Sequence, residues 1–215
     1  MSISPLSIPD LSDVDVEEAK QVLRAAVREH RTQRPKRKLA ELAEVWVPTA
    51  LDFVGERELV ACYVSTKNEP STERVLCALH DAGKRILLPK LGPGLSRAWG
   101  YFEPGTELVN MAPGRPPEPA GEAFDNSILS AVDAMIIPAL AISRSGERLG
   151  QGGGWYDRAL KQTNQQAAVG AMIFPEEFLD VPIPQDDMDV RVPYVIFPTE
   201  VLATDAAGKT FPLIR

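Results

Sequence analysis

The stretch AVDAMIIPALAISRSGERLGQGGGWYDRAL, residues 131–160, joins an apolar run, a glycine-rich turn and a helical pattern. The apolar run predicts one buried strand over 131–142, and the helix is predicted to begin near Gly154. Further apolar strands are predicted in ELVACYVS, RILLPK, AAVGAMIF and VPYVIF, and helical segments separate several of them. Buried strands that alternate with helices are typical of a mostly parallel sheet covered on both faces. We therefore predict an α/β fold with the turn at the carboxyl edge of the sheet, where such folds bind ligands.

The first part of the chain has two helical patterns. Asp13 or Asp15 is predicted to cap a helix that runs through a basic stretch and ends near Arg34, because a proline follows. A second helix is predicted over 37–51, limited by Pro48.

Three other segments complete the predicted elements. Residues 71–85 read as a helix, with Ser71 or Thr72 as its N-cap. Residues 91–122 are rich in proline and glycine, and they are predicted to form a long irregular loop. Residues 209–214 are predicted to form an edge strand.

Composition narrows the class of protein. The chain has 215 residues, of which 44% are hydrophobic and 25% charged, as in ordinary soluble domains. We expect a flexible lead-in over 1–13 and a single domain over 14–215. The net charge of −7 argues against a nucleic-acid binder, and neither a membrane-spanning run nor a secretory signal is apparent. Cys62 and Cys77 are expected to be buried free thiols rather than a disulfide, which fits the cytoplasm.

Basic residues recur along the first predicted helix. Lys20, Arg24, Arg28 and Arg31 are spaced four, four and three residues apart, which puts them on one side of a helix. Two interpretations stay open at this point. The residues form a solvated helix face, or they attract an anion that relieves the repulsion between them.

The glycine-rich turn also allows more than one interpretation. It is a mobile surface turn, or Trp155 and Tyr156 are core aromatics at a helix start, or the turn binds an anion. Glycines free the backbone N–H groups to point towards a phosphate, and Arg148 can add a bidentate contact. Asp157 suits a magnesium ion carried by that phosphate, although it also suits the first turn of any helix.

At this level of detail the sequence resembles the 5-formyltetrahydrofolate cyclo-ligases, also called methenyltetrahydrofolate synthetases. Their pattern is a strand ending in proline, followed by G-x-R-L-G-x-G-x-G-aromatic-Tyr-Asp, which Pro138 and residues 146–157 match. Three further landmarks occur in the family's order over roughly residues 17–200. They are K-x-x-L-R at 20–24, E-x-x-T at Glu69 and Thr72, and Glu-Pro at Glu118 and Pro119.

The resemblance implies a three-layer αβα sandwich around a mostly parallel sheet, of the NagB/RpiA/CoA-transferase type. It also implies a cytoplasmic enzyme, expected to be a monomer, that acts on a small-molecule substrate. The reaction would convert 5-formyltetrahydrofolate and ATP to 5,10-methenyltetrahydrofolate, ADP and phosphate, with Mg²⁺ required. A folate-binding protein that sequesters 5-formyltetrahydrofolate without turnover is the alternative.

The resemblance also assigns roles to individual residues. Lys20, Arg148 and Tyr156 would be catalytic. The ATP site would comprise Lys20, Gln21, Val22, Leu23, Arg24, Arg148, Leu149, Gly150, Gln151, Gly152, Gly153, Gly154, Trp155 and Tyr156. The folate site would comprise Val64, Glu69, Gln151, Gly152, Gly153, Gly154 and Trp155.

The metal site and one pocket residue depart from the family's pattern. Asp157 would be one magnesium ligand, and the second would be an aspartate in VPIPQDDMDVRVPY at 181–194. Counting from VPIP favours Asp187, and counting back from the last strand favours Asp189. An acidic loop of this kind can also simply be solvated. Trp155 stands where the family usually has a smaller aromatic residue, so the folate pocket is expected to be reshaped.

Overall fold

The computed structural model describes residues 5–105, 108–111, 116–209 and 213–214. The α-helices in these ranges are α1 (Val16–Thr32), α2 (Lys36–Val54), α3 (Glu73–Asp81) and α4 (Trp155–Leu160). The strands are β1 (Leu59–Ala61), β2 (Arg85–Leu91), β3 (Arg97–Tyr101), β4 (Ala134–Pro138), β5 (Ala141–Ser143), β6 (Arg148–Leu149), β7 (Ala168–Met172), β8 (Phe178–Leu179), β9 (Val190–Arg191), β10 (Tyr194–Ile196), β11 (Val201–Ala203) and β12 (Leu213–Ile214). Short 3₁₀ helices cover Pro93–Leu95, Asn126–Ala131 and Pro175–Glu177.

The central sheet has seven strands in the order β11-β10-β7-β4-β1-β2-β3. The five inner strands are parallel, and an antiparallel strand closes each edge. Two smaller sheets, β6-β5-β8 and β12-β9, lie beside it. The mostly parallel sheet that the sequence predicts is therefore confirmed.

Both faces of the central sheet are covered. Trp46 and Phe53 of α2, with Leu79 of α3, pack on one face against apolar side chains of the inner strands. Leu160 of α4 and Leu129 of the 3₁₀ helix before β4 pack on the other face. Strands β1, β4 and β7 in the middle of the sheet are buried at almost every position because each is covered on both faces, which explains their apolar sequences.

Helix α1 packs on the small sheet rather than on the central one. Its residues Leu23 and Val27 join Leu140, Leu149 and Leu179 in a separate apolar cluster. The helix begins after Asp15, whose side chain accepts a hydrogen bond from the N–H of Glu18, and ends before Pro35, as predicted. This packing holds α1 against the segment that leads into the glycine-rich turn.

The second helix, predicted over 37–51, is present, but the prediction that Pro48 limits it is wrong. Helix α2 continues through Pro48 to Val54, although a proline lacks the N–H that an interior helical position donates. Pro48 itself is exposed, while Trp46 and Ala50 on the opposite side are buried in the core. Burial of that apolar face outweighs the local cost of the proline.

Two predicted segments have a different structure. The run 131–142 forms β4 and β5, which belong to different sheets, because the chain turns between Pro138 and Ala141. The region 91–122, predicted to be an irregular loop, contains β3, which pairs with β2 as a hairpin. Trp99 of β3 is fully buried, which gives this polar, proline-rich region an anchor in the core.

Other predictions concern the lead-in, the thiols and the last strand. Residues 5–13 form no helix or strand, but Leu6 and Leu11 pack against the α1 cluster. Cys62 is a buried free thiol as predicted, whereas Cys77 is exposed, which corrects the expectation of two buried thiols. Of the predicted edge strand, β12 pairs with β9, and residues 210–212 lie outside the described ranges.

Candidate active site

The candidate site lies at the carboxyl ends of β1 and β4. Strand β1 pairs with β2 on one side and with β4 on the other, so the strand order reverses here. Tyr63 and Val64 follow β1, Pro138 ends β4, and all three line one cleft. A reversal of strand order leaves a crevice at the carboxyl edge that can admit a ligand.

The glycine-rich turn, residues 150–154, connects β6 to α4 at this edge. Gly152 has φ +99° and Gly154 has φ +57°, values that favour glycine. Gly150 is required for a different reason, since a Cβ there would lie 2.6 Å from Nη1 of Arg148. A Cβ on Gly153 would meet no atom within 4 Å. Glycine is therefore favoured at three of the four positions, at two because of the positive φ and at one because a side chain would not fit.

Four arginines hold the turn by donating hydrogen bonds to its backbone carbonyls. Two come from α1, one from β3 and one from α4, so three elements fix the turn. Because a trans peptide is planar, its N–H points away from its carbonyl. The hydrogen bonds run from Arg24 Nε to Gly150 O (3.1 Å), from Arg28 Nη2 to Gln151 O (3.1 Å), and from Arg97 Nη2 and Arg158 Nη2 to Gly153 O (2.9 Å each).

The N–H groups that oppose those carbonyls belong to Gln151, Gly152 and Gly154. Among the described residues, none accepts a hydrogen bond from these three N–H groups. Neighbouring backbone N–H groups that converge without partners form a concave site for anions. These three N–H groups are therefore available to phosphate oxygens.

The turn forms one wall of a cleft of about 270 Å³, called the nucleotide cleft after the ligand that is proposed for it below. Four cationic and four carboxylate side chains line it, so its formal charge is balanced. The apolar part comes from Pro138, Leu149, Trp155 and Met188. The charged lining residues are Glu17, Lys20, Arg24, Arg148, Asp157, Arg158, Asp186 and Asp189.

Lys20 of α1 is held between two carboxylates of the acidic loop. Its Nζ lies 2.7 Å from Oδ2 of Asp186 and also bonds Oδ2 of Asp189. Burial lowers the pKa of Lys20, but the hydrogen bonds to both carboxylates outweigh it, so the pKa is raised. The same hydrogen bond lowers the pKa of Asp186. Lys20 is therefore an ammonium ion at neutral pH.

Arg148 forms the second ion pair of the nucleotide cleft. Its Nη2 lies 2.6 Å from Oδ1 of Asp157, and its side chain is only 4% exposed. Its Nε is buried and has no partner in the described part of the chain. A buried N–H without an acceptor is costly, so Arg148 has a donor to offer to a bound anion.

A second cleft of about 590 Å³, here called the ring cleft, adjoins the first. Tyr63, Val64, Trp155 and four prolines supply apolar surface, as is typical of sites for ring-shaped ligands. The charged side chains in its lining are Glu69, Lys90, Arg97 and Glu118. Glu69 lies in its wall, where its carboxylate accepts hydrogen bonds from the N–H of Thr66 (2.8 Å) and Nε2 of Gln151 (3.2 Å).

Gln151 links the two clefts. Its amide oxygen accepts hydrogen bonds from Nε and Nη2 of Arg28 (3.2 and 2.8 Å), and its amide nitrogen donates to Glu69. A chain of hydrogen bonds therefore runs from α1, through the turn, to the wall of the ring cleft. Because Arg28 offers only donors, it fixes the orientation of the Gln151 amide.

Tyr156 lies on the boundary between the clefts and lines both. Its side chain keeps some exposure, but the surrounding protein raises the pKa of its phenol well above the ordinary value through desolvation. The phenol is therefore neutral and can donate a hydrogen bond. Desolvation also raises the pKa of Tyr63 well above the ordinary value, and its hydroxyl donates to the carbonyl of Pro70.

Most of the sequence-predicted site residues meet at these clefts, but four do not. Lys20 and Arg24 face the nucleotide cleft, whereas Gln21, Val22 and Leu23 line neither cleft, since 20 and 24 share a helix face that the intervening residues do not. Leu23 is buried in the α1 cluster. Asp187 is exposed and lines neither cleft, while Asp186 and Asp189 line the nucleotide cleft.

The basic residues on one face of α1 have different roles. Lys20, Arg24 and Arg28 reach the clefts or the turn, but Arg31 does not. Arg31 is buried, and its Nε and Nη2 form a bidentate pair with Glu177 at 2.7 Å. The anion that pairs with Arg31 is therefore the carboxylate of Glu177. Lys20 and Arg31 are both buried, so neither belongs to a solvated helix face.

Sequence reasoning missed three residues that hold the turn. Arg28 had a signal, because it lies four residues after Arg24 on the same helix face. Arg158 had a weaker one, since it follows the turn within the first turn of α4. Arg97 had none, because it lies in β3, within a region predicted to be a loop.

Two absences hold for the described residues. No group of three or more His, Cys, Asp or Glu side chains there is arranged to hold a metal ion by itself. None of the helices in the same ranges is long and apolar enough to cross a bilayer. Asp157 and Asp189 nevertheless offer carboxylate oxygens to one cleft, and such oxygens suit a magnesium ion that keeps phosphate and water ligands.

The sheet with both faces covered, the glycine-rich turn and the two adjoining clefts are typical of α/β enzymes that act on small molecules. The model of the 5-formyltetrahydrofolate cyclo-ligase family matches residues 16–198. The 5-formyltetrahydrofolate cyclo-ligase of Mycolicibacterium smegmatis is 33% identical over 188 residues, covering 84% of this chain and 94% of the relative. That of Escherichia coli is 32% identical over 144 residues, covering 66% and 79%.

A solved structure supports the fold. The NMR structure of 5,10-methenyltetrahydrofolate synthetase from Aquifex aeolicus has a TM-score of 0.71 and 24% identity, and the match covers 89% of this chain and 95% of that chain. The chain belongs to the 5-formyltetrahydrofolate cyclo-ligase family. It is therefore a ligase of folate one-carbon metabolism.

Proposed function

We propose that the protein converts 5-formyltetrahydrofolate and ATP to 5,10-methenyltetrahydrofolate, ADP and phosphate in a reaction that requires Mg²⁺. The observation that carries the proposal is the adjoining pair of clefts, which share the turn residues Gln151 and Gly153, the aromatic residues Trp155 and Tyr156, and Pro138. Transfer of a phosphoryl group between two bound molecules requires that they meet at one wall. Here that wall is also the anion-binding turn.

The ATP phosphates would lie in the nucleotide cleft. Lys20, Arg24 and Arg148 supply the positive charge, and the N–H groups of Gln151, Gly152 and Gly154 supply neutral donors. The three N–H groups are already held by the turn, so they need little reorganisation as negative charge builds up on the transferring phosphoryl group.

The folate ring would lie in the ring cleft. Val64 and Trp155 supply apolar surface for a flat heterocycle, and Glu69 supplies a carboxylate for its N–H groups. Gln151 holds one oxygen of Glu69, which orients the carboxylate. A folate bound there would present its formyl group towards the shared wall.

The formyl group on N5 is amide-like and therefore a poor electrophile. Its oxygen would attack the γ-phosphorus of ATP, ADP would leave, and a phosphorylated imidate would form. N10 would then attack the imidate carbon and lose its proton, and the C–O bond would break to release phosphate. The neutral phenol of Tyr156, which lines both clefts, would donate a hydrogen bond to the formyl oxygen that attacks phosphorus.

The residues fit a magnesium ion at the nucleotide cleft. Asp157 and Asp189 would hold it, and Asp186 is the neighbouring carboxylate. A bound magnesium ion would neutralise phosphate charge during transfer. Asp187 does not line the cleft, so of the two candidates from the sequence we propose Asp189 as the second ligand.

The proposal is tested by the absorbance of the methenyl product with purified protein, ATP, Mg²⁺ and 5-formyltetrahydrofolate. Growth of that absorbance with one ADP released per product is the expected result. Tight folate binding without turnover would replace the proposal with a sequestering folate-binding protein. Arg148→Ala should lower kcat/KM for ATP by about 100-fold or more, because it removes a charge that would meet the transferring group.

A further inference from the structure

The ion pairs that Lys20 and Arg148 form in the nucleotide cleft join groups of opposite proposed roles. Lys20 and Arg148 would bind phosphate, while Asp157 and Asp189 would bind the metal. In the structure Lys20 instead bonds Asp189 and Asp186, and Arg148 bonds Asp157. Every proposed phosphate-binding cation named here is thus already occupied by a carboxylate of the same cleft.

These pairs are shielded from solvent. The side chains of Lys20 and Arg148 are 5% and 4% exposed, and those of Asp189 and Asp157 are 15% and 16% exposed. Removing one partner from such a pair leaves a charge with little water around it, which is strongly unfavourable. A phosphate that draws a cation away from its carboxylate must therefore be accompanied by another cation.

The charge of the whole cleft leads to the same conclusion. Its lining carries four cations and four carboxylates, so it offers no net positive charge to a bare triphosphate. A magnesium ion brings two positive charges, and its preference for carboxylate oxygens matches the groups that would be left unpaired.

We propose that Lys20 and Arg148 exchange their carboxylate partners for phosphate oxygens only when a magnesium ion takes over Asp157 and Asp189, so that the metal and the nucleotide bind interdependently. Asp186, which is 49% exposed, keeps its contact with Lys20 and is a positioning residue for the ammonium. This inference rests on the proposed function.

If this exchange occurs, replacing the proposed metal ligand Asp157 should strengthen ATP binding when magnesium is absent. Asp157→Asn removes the charge that holds Arg148, so Arg148 becomes available to phosphate without any metal. ATP should then bind about tenfold more tightly to the variant than to the natural protein when magnesium is absent. With magnesium present, the variant should bind ATP more weakly, because a metal ligand is lost.

The experiment measures the dissociation constant of ATP by calorimetry, without folate, in excess EDTA and in saturating Mg²⁺. The factor by which magnesium tightens ATP binding should fall by at least about tenfold in Asp157→Asn, which is within the usual range of coupling between sites. Asp189→Asn should shift it in the same direction, and it serves if the first variant does not fold.

Asp180→Asn is the matched control. It makes the same substitution in a carboxylate that pairs with Arg144 at 2.8 Å on the exposed surface, outside both clefts. Its ATP affinity should equal that of the natural protein under both conditions. An equal loss of affinity with and without magnesium in both cleft variants, or an unchanged factor, would overturn the exchange.

The failure of the inference can be told apart from failure of the proposed function. If the natural protein binds magnesium and ATP together and turns over folate, but the variants keep the same magnesium factor, only the exchange is overturned. If the natural protein binds no ATP under either condition, the proposed function and the exchange are both overturned.

Discussion

Replacing Gly150 with alanine would displace Arg148 without altering any charge. The new Cβ would lie 2.6 Å from Nη1 of Arg148 and 3.4 Å from its Cζ, against an ordinary contact of about 3.5–4.0 Å. A guanidinium can usually move aside, but that of Arg148 is 5% exposed and bonded to Asp157 at 2.6 Å. The shift must therefore stretch or break that bond.

The expected losses of activity and stability follow from the energy of the hydrogen bonds that the guanidinium of Arg148 makes. A hydrogen bond to a charged group contributes about 1.5–3 kcal/mol, so a displaced Arg148 that no longer reaches the transferring phosphate would lower kcat/KM for ATP by a factor of about 10 to 150. Loss of its bond to Asp157 in the free protein would lower Tm by about 3–12 °C in a domain of this size. Both effects arise from one displaced side chain.

Gly153→Ala is the matched comparison for stability, since its Cβ would meet no atom within 4 Å and its φ is not positive. Its Tm should stay within about 2 °C of the natural protein. Initial rates of methenyl formation against ATP concentration, with thermal melts, measure both effects. If Gly150→Ala kept the natural Tm and kcat/KM, the argument that Arg148 is confined by its neighbours would be refuted.

Three further predictions concern the scaffold. Pro48→Ala should raise Tm by a few degrees in a thermal melt, because it restores a helix hydrogen bond at an exposed position and removes a ring clash; a lower Tm would contradict this. Arg31→Met should lower the free energy of unfolding by about 3–5 kcal/mol in a urea titration, since Glu177 would be left buried and unpaired; a change below about 1 kcal/mol would contradict it. A thiol reagent at pH 8 should modify one thiol in the native protein and two after denaturation. Cys77 is exposed, whereas burial shields Cys62 and raises the pKa of its thiol to about 12. Two rapid reactions in the native protein would refute this.

The sequence predicted those parts of the fold in which local residue preferences and burial in the core favour the same structure. Asp15 caps α1 as its residue type predicts, and the glycine-rich turn enters α4 next to Gly154. The inner strands were predictable because strands covered on both faces are apolar throughout. At Pro48 the local preference is against a helix, but the packing of Trp46 and Ala50 on the opposite side of α2 favours the helix and decides the structure.

Some of the site could not have been predicted, because it depends on distances between segments far apart in the chain. The resemblance named Lys20, Arg148 and Asp157, but no spacing indicates that Arg148 and Asp157 bond to each other. The hydrogen bond from Arg97 to Gly153 spans 56 positions and begins in a strand that the composition of 91–122 concealed.

The register of the acidic loop is a similar case. Two ways of counting along the sequence favoured Asp187 and Asp189. The structure distinguishes their positions only because the loop folds back on α1, which brings Asp189 to Lys20 and leaves Asp187 exposed.

A crystal structure with Mg²⁺ and a non-hydrolysable ATP analogue would show where the terminal phosphate binds. We expect its oxygens to accept hydrogen bonds from the backbone N–H groups of Gln151, Gly152 and Gly154, while the arginines still bond the carbonyls of the turn. A triphosphate bound away from residues 150–154, with those N–H groups facing only water, would contradict it.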